Sequence, residues 1–134
     1  MQDRPTPDEL LEAVAAFLRD QVVPGSASGP VAFHARVAAN ALDIARRQMA
    51  LAPAAHDCEH AALVKLLGAD PGHDVAQLSR MLCERIADGE MNLDTPGLTA
   101  CLWQITLDKL AVDQPTYQTY VRSLRDGAPD PKDR

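Results

Sequence analysis

Arg36, Asn40, Asp43 and Arg47 recur at i, i+4, i+7 and i+11, which on a helix sets four polar side chains in one stripe. Such a stripe has two readings. It is a solvated face laced by Asp43–Arg47 pairing, worth roughly 0.3 kcal/mol. Or it is a contact surface that offers a guanidinium and an amide to a partner or ligand. The solvated or internally bonded face is the favoured reading, and Asn40 is its misfit, because asparagine competes with the helical backbone for hydrogen bonds and its place between alanines suggests a bond off the helix. His34 starts the alanine-lined side that continues through Ala38, Ala41 and Ala45, where a lone histidine ordinarily packs. No Ser or Cys with a second acid–base partner can be placed near it, so a nucleophilic triad is unsupported.

A second polar group lies near the other end of the chain. Thr106, Lys109 and Asp113 share a helical stripe, with Lys109 and Asp113 spaced to pair and Asp113 placed to hold the turn leading to Tyr117. His56-Asp57-Cys58-Glu59-His60 puts two histidines four apart, the spacing of zinc-binding helices. Here the glutamate precedes the second histidine instead of following the first, and no third ligand follows, so no metal site is expected. The glycines of Pro24-Gly25-Ser26-Ala27-Ser28-Gly29-Pro30 lack the phosphate-loop pattern and read as a flexible connection.

The elements that position these groups read as helices divided by strong breakers, with no convincing strand alternation. Thr6-Pro7-Asp8-Glu9 forms a capping box before a helix whose apolar face is Leu10, Leu11, Val14, Phe17 and Leu18. A second helix is expected over 31–51, stopped before Pro53, and a third over 54–67, ended by Gly68. A fourth, over 74–88, should bury Val75, Leu78, Leu82 and Ile86 before Gly89. Thr95-Pro96 opens a fifth, which Asp113-Gln114-Pro115 ends, and a short last helix covers 116–124. The fifth is apolar on two sides, Leu98, Leu102 and Ile105 on one and Trp103, Leu107 and Leu110 on the other. The expected architecture is all-α, one domain over residues 1–124 with five to six helices, the second and fifth central, and a tail over 125–134. If that pair packs together, Arg36, Asn40, Lys109 and Asp113 share a groove.

Composition narrows the function classes. A chain of 134 residues with 46% hydrophobic content fits one globular domain. Its net charge of −6 argues against a nucleic-acid surface. No apolar run reaches the ~18 residues of a membrane span. The first residues show no secretory pattern, and three scattered cysteines read as reduced thiols, so a cytoplasmic location is expected.

Gln2-Asp3-Arg4-Pro5 before a Leu-Leu helix, Phe33-His34-x-Arg36-Val37-Ala38-Ala39-Asn40, and Lys109-Leu110-Ala111-Val112-Asp113-x-Pro115-x-Tyr117 together resemble a family of small uncharacterised bacterial helical proteins. Its members look like companions of aminoglycoside-phosphotransferase-like kinases and acyl-CoA dehydrogenases, with which their genes are grouped. The resemblance runs from about residue 2 to residue 120. Gln114 stands where asparagine is more usual, and the 24–30 connection and the tail look peculiar to this chain. The resemblance implies a non-catalytic accessory subunit of a kinase that phosphorylates hydroxyacyl-CoA, with the dehydrogenase acting next. ATP and Mg²⁺ would belong to the kinase, and this chain would carry no cofactor of its own. The contact residues so implied are His34, Arg36, Asn40, Lys109, Asp113 and Tyr117. Three alternatives stay open: a free-standing helical module binding acyl-CoA or another small ligand, an enzyme using His56 and His60 on a metal, and a homodimer.

Overall fold

Thr6 caps the first helix as its sequence dictates. Its hydroxyl accepts from the Glu9 N–H at 3.2 Å, and the Glu9 carboxylate accepts from the Thr6 N–H at 2.7 Å. The computed structural model describes residues 4–26 and 28–126. Among these the chain is all-helical, with five main helices: α1 (Pro7–Phe17), α2 (Gly29–Leu67), α3 (Val75–Ala87), α4 (Leu98–Asp113) and α5 (Gln118–Asp126). A π-helical turn, Leu18–Val22, and a short helical piece, Val23–Gly25, prolong α1, so the connection to α2 is briefer than expected. The expected tail beyond residue 126 and the Gln2-Asp3 pair lie outside the described residues, and Arg125 is helical.

Helices expected over 31–51 and 54–67 are one helix. Pro53 lies inside α2, which runs on for 39 residues. A proline lacks one N–H and crowds the carbonyl four residues back, but it costs a helix only a few kcal/mol, which surrounding turns can absorb. Two compact units divide the chain, one up to Ala50 and one from Leu51 onward.

The first unit is an antiparallel hairpin of α1 and the first part of α2. Alanines make the contact: Ala15 on α1 is buried, as are Ala32, Ala35 and Ala39 on α2. The apolar face expected to bury Leu10, Val14 and Phe17 instead leaves all three about half exposed. Charge staples fix the register. Arg46 donates to both carboxylate oxygens of Asp8, at 2.8 and 3.0 Å, and to Glu12 at 3.0 Å. Arg19 pairs with Asp43 and donates to the Ala39 carbonyl at 3.4 Å.

The Arg46 hydrogen bond holds the Asp8 carboxyl below its ordinary value of 3.8 against an opposing desolvation, with charge attraction adding to it. A depressed carboxyl contributes stability in full above the unfolded value and loses it as pH falls through the folded one. Acidification below about 3.8 should therefore lower the protection of the α1 amides relative to the free-chain exchange rate at the same pH. Asp8→Asn should remove the part of that acid response that this pair carries. An identical response in the two proteins would show that the staple does not hold α1.

The second unit has the larger core. Leu63 and Leu67 of α2 meet Leu78 and Leu82 of α3, Met91 of the following loop, and Leu98 and Cys101 of α4. Ile86, expected in this core, is exposed. Asp74 and Gln77 form a second capping box, with bonds of 2.8 and 2.9 Å. The α2 end is closed by Gly68 at φ 59° and by Arg85, which donates to the Leu67 carbonyl at 3.0 Å. α4 begins at Leu98 after Gly97 (φ 85°), two residues later than Thr95-Pro96 suggested, because the Thr95 hydroxyl accepts from the Asn92 N–H at 2.9 Å in the preceding turn.

Candidate functional site

In the first unit His34, Arg36 and Asn40 are all exposed on α2. His34 does not pack into the hairpin; its ring meets Phe33 edge-on, 5.5 Å between centroids and 71° between planes. Asp43, on the same stripe, gives one carboxylate oxygen to Arg19 of α1. The Asn40 amide makes no hydrogen bond to any described residue. Its helical neighbours at i−3 and i+4, Val37 and Ile44, are exposed as well, and so is Phe33 at i−7. The result is an apolar strip with a solvent-facing amide in its middle and the guanidinium of Arg36 on the same helix. That strip was not foreseen, although its signal, apolar residues at 33, 37 and 44 interrupted by Asn40, stands in the sequence.

Lys109, Asp113 and Tyr117 belong to the second unit and are likewise exposed. Lys109 and Asp113 form no ion pair among the described residues, and Asp113 does not hold the turn. The backbone does so: the Gln114 N–H donates to the Leu110 carbonyl at 2.9 Å and the Tyr117 N–H to the Gln114 carbonyl at 3.0 Å. Thr106 is turned back onto its own helix, donating to the Leu102 carbonyl at 2.8 Å. Asp113 thus presents a free carboxylate at the negative end of α4, where a helix favours cations. Further on, Thr116, Gln118, Val121, Arg122 and Arg125 line an open recess on and before α5, whose two guanidiniums suit an anionic group.

His60 has a structural duty. Its Nε2–H donates to the His73 carbonyl at 2.9 Å and ties α2 to the turn before α3. That turn is also braced by Asp70, whose carboxylate accepts from the Gly72 N–H at 2.8 Å, and by His73 Nδ1–H, which donates to the Asp70 carbonyl at 3.0 Å. Among the described residues no three His, Cys, Asp or Glu side chains converge as metal ligands. The three cysteines are free; Cys58 and Cys83 are exposed, and burial, aided by Glu59, pushes the Cys101 thiol up. No described helix is long and apolar enough to cross a membrane.

The arrangement is that of a contact surface: exposed amide, imidazole, guanidinium and carboxylate groups on rigid helices, some of them set among exposed apolar side chains. No curated protein and no solved structure matches the chain. A family model does, over residues 25–117, which takes in the whole of α2, α3 and α4 and all six contact residues but leaves α1 outside. The chain belongs to the family defined by that model, the domain of unknown function DUF6285.

Proposed function

We propose that this protein is a non-catalytic accessory subunit of a phosphotransferase-type kinase that acts on hydroxyacyl-CoA in hydroxy-acid catabolism. The observation that carries the reading is Asn40. A mid-helix asparagine without a hydrogen bond among the described residues, flanked by exposed Val37 and Ile44, costs helix stability and returns nothing within the chain. A docked partner would satisfy its amide and cover the apolar side chains together. Asp113, exposed at a helix C-terminus, would gain from a cationic partner group. The resemblance to companions of aminoglycoside-phosphotransferase-like kinases and acyl-CoA dehydrogenases supplies the partner's class. The kinase would bring ATP and Mg²⁺, and this chain would offer His34, Arg36 and Asn40 from its first unit and Lys109, Asp113 and Tyr117 from its second.

Co-expression with such a kinase, followed by size-exclusion chromatography and an ATP-dependent hydroxyacyl-CoA phosphorylation assay, tests the reading. Co-elution is expected, with activity that falls away when this protein is omitted. Asn40→Ala should weaken the complex by about tenfold, the scale of one buried interface hydrogen bond, while leaving the circular dichroism unchanged. Separate elution with undiminished kinase activity would reject the accessory role and turn the search to small ligands of the isolated protein.

A further inference from the structure

The described residues that line the open recess at α5, Thr116, Gln118, Val121, Arg122 and Arg125, all belong to the second unit. Its volume of about 490 Å³ is within the range of small-molecule sites. Gln118, Val121, Arg122 and Arg125 stand at i, i+3, i+4 and i+7, so one face of α5 forms a wall. The four polar side chains can all donate hydrogen bonds, and two carry a permanent positive charge. No carboxylate is among the described residues that line the recess. Neither arginine makes an ion pair or hydrogen bond to another described residue, in a chain where 19 acidic residues face 13 basic ones. Arg19, Arg46 and Arg85, by contrast, are all engaged within the chain. Like charges three residues apart repel each other at a cost to the helix, which an anion lodged between them removes.

We infer that this recess binds the phosphoryl group of a small soluble ligand, with Arg122 and Arg125 holding its oxygens and Thr116 and Gln118 donating beside them. The pair of guanidiniums selects phosphate over carboxylate. One guanidinium fork already satisfies both oxygens of a carboxylate, whereas a phosphate monoester presents three terminal oxygens and close to two charges. The recess is larger than a phosphoryl group, and the organic part of the ligand lies against Val121.

Charge also selects a soluble source over a lipid headgroup. At a net −6 the chain as a whole is repelled by an anionic membrane surface, whereas a small ligand meets the two guanidiniums at close range, where salt screens least. The family model stops at residue 117, short of both arginines, so the site belongs to this chain's own last helix. None of the five lining residues is among the proposed kinase contacts, so the inference stands apart from the kinase reading.

Titration of the full isotope-labelled chain with sodium pyrophosphate, without any kinase and at constant ionic strength, decides it by amide NMR. Saturable shifts centred on residues 116–125 are expected, with a dissociation constant of about 1 mM or tighter. Inorganic phosphate should move the same amides more weakly, and acetate should leave them in place. Arg122→Gln and Arg125→Gln should each weaken pyrophosphate binding by about tenfold or more, the scale of one charge-assisted contact. Arg80→Gln removes the same charge from an exposed position on α3 and should change nothing. Should one recess variant lose its helical dichroism, the other and the wild-type titration still decide. Shifts that do not saturate by about 10 mM, an affinity fit only for an adventitious ion, overturn the inference. So does a loss in Arg80→Gln equal to that in the recess variants. Pelleting with phosphatidylglycerol vesicles in place of pyrophosphate binding would overturn it too, in favour of a lipid headgroup.

Discussion

Leu63→Ala should lower the unfolding free energy of this protein by about 2–5 kcal/mol, the range for truncating a fully buried leucine. Leu63 is wholly shielded from solvent and sits where α2 meets α3 and α4 in the only cluster that gathers several large buried side chains among the described residues. The first unit cannot compensate, because its buried contact is made of alanines. Against a total of about 5–15 kcal/mol, such a loss is a large fraction. A urea titration followed by circular dichroism should show the midpoint falling by a third or more, and Leu78→Ala should behave alike, since that side chain is equally buried. Leu63→Met keeps the volume and should cost less than about 1.5 kcal/mol. A change below about 1 kcal/mol for both alanine variants would mean that the α2–α3–α4 core does not hold the second unit together.

That core was largely legible beforehand, because its determinants are local. Leu78 and Leu82 repeat on one face of a helix bounded by Asp74 and Gly89, and Gly68 and Gly89 do adopt the left-handed conformation that ends helices. The Asp74–Gln77 capping box has the same spacing as Thr6–Glu9 and could have been read in the same way. The hairpin was less legible. Which face of α1 is buried depends on which partner face it meets, and alanine, small enough for close helix approach, won that contact over Leu10, Val14 and Phe17. The ion pairs of Arg46 and Arg19 span more than twenty residues, so no local spacing announces them. One of them engages Asp43 of the polar stripe, while Asn40 and Arg36 lie near the exposed Phe33, Val37 and Ile44. The residue types of the candidate surface were thus readable, and its apolar half was not, since apolar residues on a helix are read as core unless exposure is known.

Pro53→Ala should stabilise the protein, an uncommon direction for a substitution made without regard to packing. Proline inside a helix is about 3 kcal/mol less favourable than alanine, because it gives up one backbone hydrogen bond and its ring presses on the carbonyl four residues earlier, here that of Met49. Proline also restricts the unfolded chain, which returns up to about 1 kcal/mol of stability that alanine would forgo. The difference favours alanine by about 2–3 kcal/mol. Pro53 is exposed, so no packing is lost to offset it. Thermal unfolding should rise by several degrees, and amide exchange should slow for the residues on either side of position 53. Had the chain followed the reading in which Pro53 separates two helices, proline would sit where a helix start tolerates it and the same substitution would be neutral or destabilising. A lowered midpoint for Pro53→Ala would therefore restore that break, and a raised one confirms that α2 runs unbroken from Gly29 to Leu67 and tolerates its proline at a cost.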